Sequence, residues 1–192
     1  MDKLTLLANK WGTDKGNFES WCHNYTPTYN EYFEELVDKS IRMLEIGVAD
    51  PRFPGAGVKM WRDYFPNLFF VGYDINQQAK QFEEPNINIF IGNQNNPEDI
   101  QRCINTYGGE FDIILDDGSH YSEHILTSFK HLFPHLNPGG YYIIEDLHSV
   151  YSNAQFTIPE VSNIITQNNF EIESVEQKHG GKMLVIKKAQ RN

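Results

Sequence analysis

At residue 41 the sequence changes character, and that change constrains the fold more than any other feature. From there onward short apolar runs alternate with amphipathic segments. The runs at residues 43–48, 68–73, 87–91, 111–115 and 141–144 are apolar almost throughout rather than at every second position. A strand of that kind is covered on both faces, as strands are in a parallel sheet sandwiched between helices. Helical patterns fill the gaps. Residues 58–65 read as one helix, and Asn96-Pro97-Glu98-Asp99 opens another with a cap, a proline in the first turn and two carboxylates at the positive end of the dipole. The stripe Ile125, Leu126, Phe129, Leu132, Phe133, Leu136 marks a third helix, closed by Asn137-Pro138-Gly139-Gly140. A helix near residues 159–168 follows, then strands at 170–175 and 183–187 joined through Lys178-His179-Gly180-Gly181, which makes an antiparallel hairpin. The expected class is α/β, a doubly wound, mostly parallel seven-stranded sheet with an antiparallel C-terminal hairpin.

The first 40 residues stand apart from this alternation. Thr28 and Glu31 have capping-box spacing, and Tyr29, Tyr32, Phe33, Leu36 and Val37 fall on one helical stripe behind them. Ahead lies Lys10-Trp11-Gly12-Thr13-Asp14-Lys15-Gly16, which has no regular period. The expected organisation is a helical and loop preamble over residues 1–40, on the lid or substrate side, and a Rossmann-like domain over 41–192, the two making one compact unit.

Charge narrows the partners. Sixteen basic against 26 acidic residues leave a net charge of −10, which repels phosphate backbones and argues against nucleic acid as the main partner. The apolar runs fall far short of the ~20 residues that span a bilayer, and Met1-Asp2-Lys3-Leu4 does not open a secretory signal. Cys22 and Cys103 lie far apart in unlike contexts, so reduced thiols and a cytoplasmic location are expected.

Ligands of a doubly wound sheet bind beyond the carboxyl ends of its strands. Those ends carry Glu45-Ile46-Gly47, Asp74, Gly92-Asn93-Gln94, Asp116-Asp117-Gly118-Ser119-His120 and Glu145-Asp146-Leu147-His148. Unpaired buried carboxylates cost several kcal/mol, so water or a cationic ligand must satisfy this edge. Glu45, Gly47 and Asp74 read as the nucleotide half of a site, with Asp74 placed to accept from ribose hydroxyls. A tight turn and a helix cap would look the same. The loop Gly47-Val48-Ala49-Asp50-Pro51-Arg52-Phe53-Pro54-Gly55-Ala56-Gly57 lacks GxGxxG spacing, and Asp50 would repel a pyrophosphate. An adenosine ligand without phosphate fits better than a dinucleotide. Asp117, Glu145 and Asp146 offer three hard oxygens suited to Mg²⁺, Mn²⁺ or Ca²⁺; capping of the following helices is the alternative, preferred for Asp116. His120, at the mouth of the same site, is a candidate general base, or else a surface residue or a cap. His148 is near enough to support the acids. His23, His124, His131, His135 and His179 carry no functional assignment.

These residues resemble a known family. Leu44-Glu45-Ile46-Gly47, Lys59-Met60-Trp61-Arg62-Asp63-Tyr64-Phe65-Pro66 and Gly72-Tyr73-Asp74-Ile75 are similar to class I S-adenosylmethionine-dependent methyltransferases. Asp116-Asp117-Gly118-Ser119-His120 and Glu145-Asp146-Leu147-His148 narrow the resemblance to the metal-dependent sugar O-methyltransferases of macrolide and polysaccharide biosynthesis. Lys10 to Lys15 and His23-Asn24-Tyr25-Thr26-Pro27 also look like that family. The resemblance implies a Rossmann-like methyltransferase fold, S-adenosylmethionine as methyl donor and Mg²⁺ (or Mn²⁺) as cofactor. It implies that Asp117, Glu145 and Asp146 hold the metal and that His120 is the base. Glu45 and Gly47 would lie beside the donor's methionine end, Asp74 at its ribose, and Asn93 or Gln94 at its adenine. The implied partner is a small-molecule or glycan substrate, with homo-oligomerisation left open.

The loop after Gly47 departs from the family's usual glycine-rich form, and the extra N-terminal domain of the macrolide enzymes is not in this sequence. The macrolide is therefore not carried over. Two rival functions remain at this level. One is an O-methyltransferase for catechol or another phenol, and the other is a non-catalytic module that binds S-adenosylmethionine. A metal-dependent phosphoesterase ranks lower, because the acidic edge lacks the Lys/Arg expected around a phosphate.

Overall fold

Every apolar run becomes a strand in the computed structural model, which describes residues 1–190. The five parallel strands are β1 (Ile41–Ile46), β2 (Leu68–Asp74), β3 (Ile87–Ile91), β4 (Phe111–Asp116) and β5 (Leu136–Ile144). β6 (Ile172–Lys178) and β7 (Met183–Lys188) complete a seven-stranded sheet of order β3-β2-β1-β4-β5-β7-β6. β7 inserts antiparallel between β5 and β6. The winding reverses between β1 and β4, which are parallel neighbours, so the crevice that accepts ligands opens above their C-terminal ends.

Among the described residues six α-helices cover the sheet: α1 (Lys3–Trp11), α2 (Thr26–Phe33), α3 (Ala56–Tyr64), α4 (Pro97–Tyr107), α5 (Ser122–Leu132) and α6 (Ala154–Gln167). Strand side chains alternate between two cores. Ile41 and Met43 of β1 pack with Leu4, Tyr29, Phe33 and Trp61 of α1–α3. Leu44 and Ile46 pack with Ile100, Cys103, Phe129 and Val161 of α4–α6. Both faces of β1 are thus dry, as its uninterrupted apolar run requires.

Four local readings change. α1 was not anticipated; Asp2 caps it by accepting from the Thr5 amide at 2.8 Å, and Gly12 ends it at φ 73°. Thr28 does not cap α2, which starts earlier at Thr26 with Pro27 in its first turn. The Thr28 hydroxyl instead meets Nε2 of His179 at 2.8 Å. Asn137 to Gly140 belongs to β5 rather than closing a helix, through a register shift between Phe111 and Ile113 of β4. α6 begins ahead of Pro159 because Asn153 caps it, accepting from the Phe156 amide at 3.2 Å.

The N-terminal segment packs into the core. Tyr25, Tyr29 and Phe33 are fully buried and fill the sheet's end. Cys22 and Cys103 are both free thiols. Among the described residues, no helix is long and apolar enough to cross a membrane.

Candidate active site

The ends of β1, β2 and β4 meet the loop from residue 13 to 15 and Asp146, just past β5, around a cavity of about 580 Å³. That volume is in the range of small-molecule sites. Its floor depends on Gly47. The Gly47 amide donates to the Tyr73 carbonyl at 2.9 Å, and the Asp117 amide donates to the Ile46 carbonyl at 3.1 Å. This stitching puts Gly47 at φ 87°, and a Cβ there would overlap the Asp117 carbonyl oxygen. Glycine is needed for the close passage of two backbone segments as well as for any ligand.

Asp74 borders the cavity and pins the loop after Gly47. Its Oδ2 accepts from the amides of Val48 and Ala49, both at 2.9 Å, and its Oδ1 accepts from the Asn76 amide at 2.8 Å. Carboxylate oxygens have lone pairs to spare, so this bracing leaves room for a ribose hydroxyl. Asn93 and Gln94 also line the cavity. The Gln94 amide nitrogen donates to Oδ1 of Asp116 at 3.1 Å while its carbonyl accepts from the Ser119 amide at 2.8 Å. Gln94 is therefore a strut under the 117–120 loop, and Asn93 is the freer of the two. Asp116 is no helix cap: buried, it accepts from Ser128 Oγ at 2.5 Å and from the Gly118 amide at 3.4 Å. Burial pushes its carboxyl up to about 6.

The edge of the cavity beside Asp117 holds a residue that the sequence did not single out. Lys15 is 3% exposed, and its ammonium lies among three carboxylates. It donates to Oδ2 of Asp117, to Oε2 of Glu145 at 2.9 Å, and faces Oε1 of Glu45 at 3.7 Å. The Tyr25 and Thr26 amides both donate to its carbonyl, at 2.9 and 3.1 Å. Residues 13–16 and 23–26 thus form one unit that delivers Lys15 and Tyr25 to the strand ends. Desolvation alone would lower the lysine's pKa, but Asp117, Glu145 and Glu45 outweigh it and hold the pKa well above the usual value.

Burial raises both glutamates to about 7 against the opposing pull of Lys15. Glu45 Oε2 and the Trp61 indole N–H are both buried without a hydrogen bond of normal geometry, yet the indole still pulls the Glu45 carboxyl down. Burial also raises Asp117, again against Lys15. Asp146 goes the other way: the Tyr25 hydroxyl, His23, His120 and Lys15 together outweigh desolvation and hold it below the usual value. Tyr25 donates to its Oδ1 at 2.7 Å.

The expected oxygen trio divides. Glu145 turns inward, with Tyr29 donating to its Oε1 and Lys15 to its Oε2. Asp117 and Asp146 come together with His120, their ligand atoms within 4.8 Å of one another. His120 Nε2 is 3.8 Å from Asp146 Oδ2. Both His120 and Asp146 have left-handed backbones, at φ 61° and 54°. Such conformations are sparse for residues other than glycine and gather at functional sites.

No family model matches the chain. Demethylmacrocin O-methyltransferase of Streptomyces fradiae is 39% identical over 156 residues, 79% of this chain and 37% of that protein. An 8-demethyl-8-alpha-L-rhamnosyl tetracenomycin-C 2'-O-methyltransferase of Streptomyces olivaceus is 36% identical over 151 residues, 77% of this chain and 38% of that protein. The solved MycE methyltransferase of the mycinamycin biosynthetic pathway, in complex with Mg, SAH and mycinamycin VI, superposes with TM-score 0.82. It is 30% identical and covers 98% of this chain and 55% of its own. The chain is a homologue of the antibiotic-sugar O-methyltransferases. It spans little more than a third of the length of these curated relatives. The archaeal fibrillarin of Methanococcus jannaschii, at 16% identity and TM-score 0.53, shares the fold alone.

This sugar-methyltransferase homologue has donors that fit both groups bound in MycE. Asp117 and Asp146 supply carboxylate oxygens beside His120 at one edge of the cavity, a pair that accepts a hard divalent ion with positions left open for substrate and water. At its base, Glu45 is a buried carboxylate that borders the cavity, chemically suited to receive a ligand's ammonium.

Proposed function

We propose that this protein is an S-adenosylmethionine-dependent O-methyltransferase that methylates a sugar hydroxyl of a small molecule or glycan, assisted by Mg²⁺ or Mn²⁺. The observation that carries this reading is a single cavity with two chemically unlike sides. Glu45, Gly47, Asp74 and Asn93 line one side, while Asp117, His120 and Asp146 line the other. The 36–39% identity to O-methyltransferases supports it.

The methyl donor supplies a sulfonium carbon whose leaving group is a neutral thioether. A divalent ion held by Asp117 and Asp146 supplies Lewis acidity toward an alcohol whose own pKa is far above neutral. The chain's residues do the rest. Asp74 and Asn93 orient the nucleoside, and Glu45 receives the ammonium of the methionine end. His120 Nε2 takes the hydroxyl proton as the oxygen–methyl bond forms and the sulfur–methyl bond breaks. Asp146, 3.8 Å from that nitrogen, stabilises the resulting imidazolium. Lys15 neutralises part of the buried acidic charge, and Glu145 holds Lys15 in place. Tyr25 and Tyr29, fully buried behind the acids, keep water out of the interior. In this reading residues 1–40 form the acceptor-side wall of the site.

The test is transfer of labelled methyl from S-adenosylmethionine, with Mg²⁺, to a panel of deoxysugar glycosides and to catechol. Label in a sugar methyl ether is the expected result. Label in catechol alone would move the substrate class to phenols. No transfer to any acceptor, with the donor still bound, would reduce the protein to a binding module.

A further inference from the structure

Asp146 is surrounded by three imidazoles from three parts of the chain. His120 belongs to the loop after β4, His148 lies just beyond Asp146 itself, and His23 comes from the N-terminal segment. The proposed reaction uses only His120. On the outer side, His23 Nε2 is 3.8 Å from Asp146 Oδ2 and His148 Nδ1 is 3.9 Å from Asp146 Oδ1. The two rings stand edge to face with centroids 5.8 Å apart. One ligand atom from each of His23, Asp146 and His148 falls within 4.8 Å of the others.

This group differs in kind from the set around Asp117. The two imidazoles face different oxygens of Asp146; tetrahedral ligands held at about 2.0–2.1 Å from zinc lie roughly 3.3 Å apart, so three ligand atoms within 4.8 Å of one another close onto one ion by at most about 1.5 Å. Two imidazoles and one carboxylate favour Zn²⁺, Co²⁺ or Ni²⁺, whereas Mg²⁺ prefers oxygen and keeps its waters. Supporting contacts are in place. The His23 ring stacks on Tyr25 at 5.1 Å with planes 14° apart, and Tyr25 holds Asp146 Oδ1 at 2.7 Å. The three side chains are between 17% and 39% exposed, which leaves a fourth position to solvent.

We propose that His23, Asp146 and His148 form a second metal site, for Zn²⁺ or a similar borderline divalent ion, at the outer edge of the cavity. Asp146 is shared between the two sets and serves one ion at a time with full effect. Zinc at the outer site withdraws an oxygen from the Asp117–His120 side and lowers turnover. That consequence rests on the methyl-transfer reading, while the metal site does not.

The experiment is calorimetric titration of ZnCl₂ into the full chain with saturating Mg²⁺, on the wild type and on His23→Ala, His148→Ala and Asp117→Asn. Loss of a supporting partner alone weakens metal binding about 10- to 100-fold. Each histidine variant should therefore weaken Zn²⁺ at least about tenfold, whereas Asp117→Asn, which frees Asp146 from Mg²⁺, should bind Zn²⁺ as tightly as the wild type or more tightly. Co²⁺ absorption gives the coordination geometry independently, and His148, the most exposed of the three ligands at 39%, is the variant whose fold is safest. Equal Zn²⁺ affinity in the wild type and both histidine variants would overturn the site. So would loss on Asp117→Asn with retention in the histidine variants, which would put zinc on the His120 side. Zinc binding without any methyl transfer in Mg²⁺ would refute the function and leave the metal site standing.

Discussion

Replacing Lys15 with methionine keeps the apolar stem and removes one positive charge from among Glu45, Asp117 and Glu145. Taking one partner from a buried ion pair costs about 3–5 kcal/mol. In a domain of this size each kcal/mol moves Tm by roughly 2–4 °C, so Lys15→Met should melt roughly 6–20 °C lower at about pH 8. The loss depends on pH, and its sign follows from the raised glutamates. Both lie near 7 in the folded protein against an ordinary 4.5. Below the ordinary value both states are protonated and these groups contribute nothing. Between 4.5 and 7 the folded state holds the extra protons, so stability falls as pH rises. Without the pull of Lys15 the folded values move higher, and the loss continues above 7. At about pH 5.5 the protonated glutamates need no counter-ion, and chiefly Asp117 is left unpaired. Calorimetric melting of both proteins in EDTA at the two pH values is the assay. A Tm difference that is the same at both, or smaller than about 2 °C at the higher pH, would refute the assignment of Lys15 as counter-ion.

His120→Ala should cut turnover by about 10²- to 10⁴-fold, the usual worth of a general base, while S-adenosylhomocysteine affinity stays within about twofold; a wild-type rate removes His120 from the reaction. Asp117→Asn should abolish Mg²⁺-dependent turnover and leave that affinity mostly intact, as read by separate titrations of donor product and metal; equal losses in both would mean that the two sides of the cavity are not separate. Gly47→Ala adds a methyl at φ 87° against the Asp117 carbonyl, so it should destabilise by more than about 1 kcal/mol and weaken donor binding; an unchanged melt would contradict the tight backbone crossing.

Much of the fold was legible because burial on both faces leaves a strong mark. β3 falls on residues 87–91 as read, and the helix opened by Asn96 and Pro97 starts there. α1 was missed although Leu4, Ala8 and Trp11 have helical spacing, because the polar loop that follows dominated the reading of this stretch. The strand-end acids were found by topology, but their partners were not. Lys15 reaches Asp117 across 102 residues and Glu145 across 130, and no local period records such a pairing. For the same reason the contacts of Glu145 with Lys15 and Tyr29 could not be read beside its expectation as a metal ligand. His23 carried no assignment, since only the folded backbone brings residues 13–16 and 23–26 together over Asp146.

The most direct test of the two-sided cavity is calorimetric titration of S-adenosylhomocysteine, first with Mg²⁺ and then with EDTA. Roughly micromolar binding under both conditions is predicted, because the proposed function assigns the donor to Glu45, Asp74 and Asn93 and the metal to other residues. No binding under either condition would contradict the account and mean that the loop after Gly47 does not accept the methyl donor.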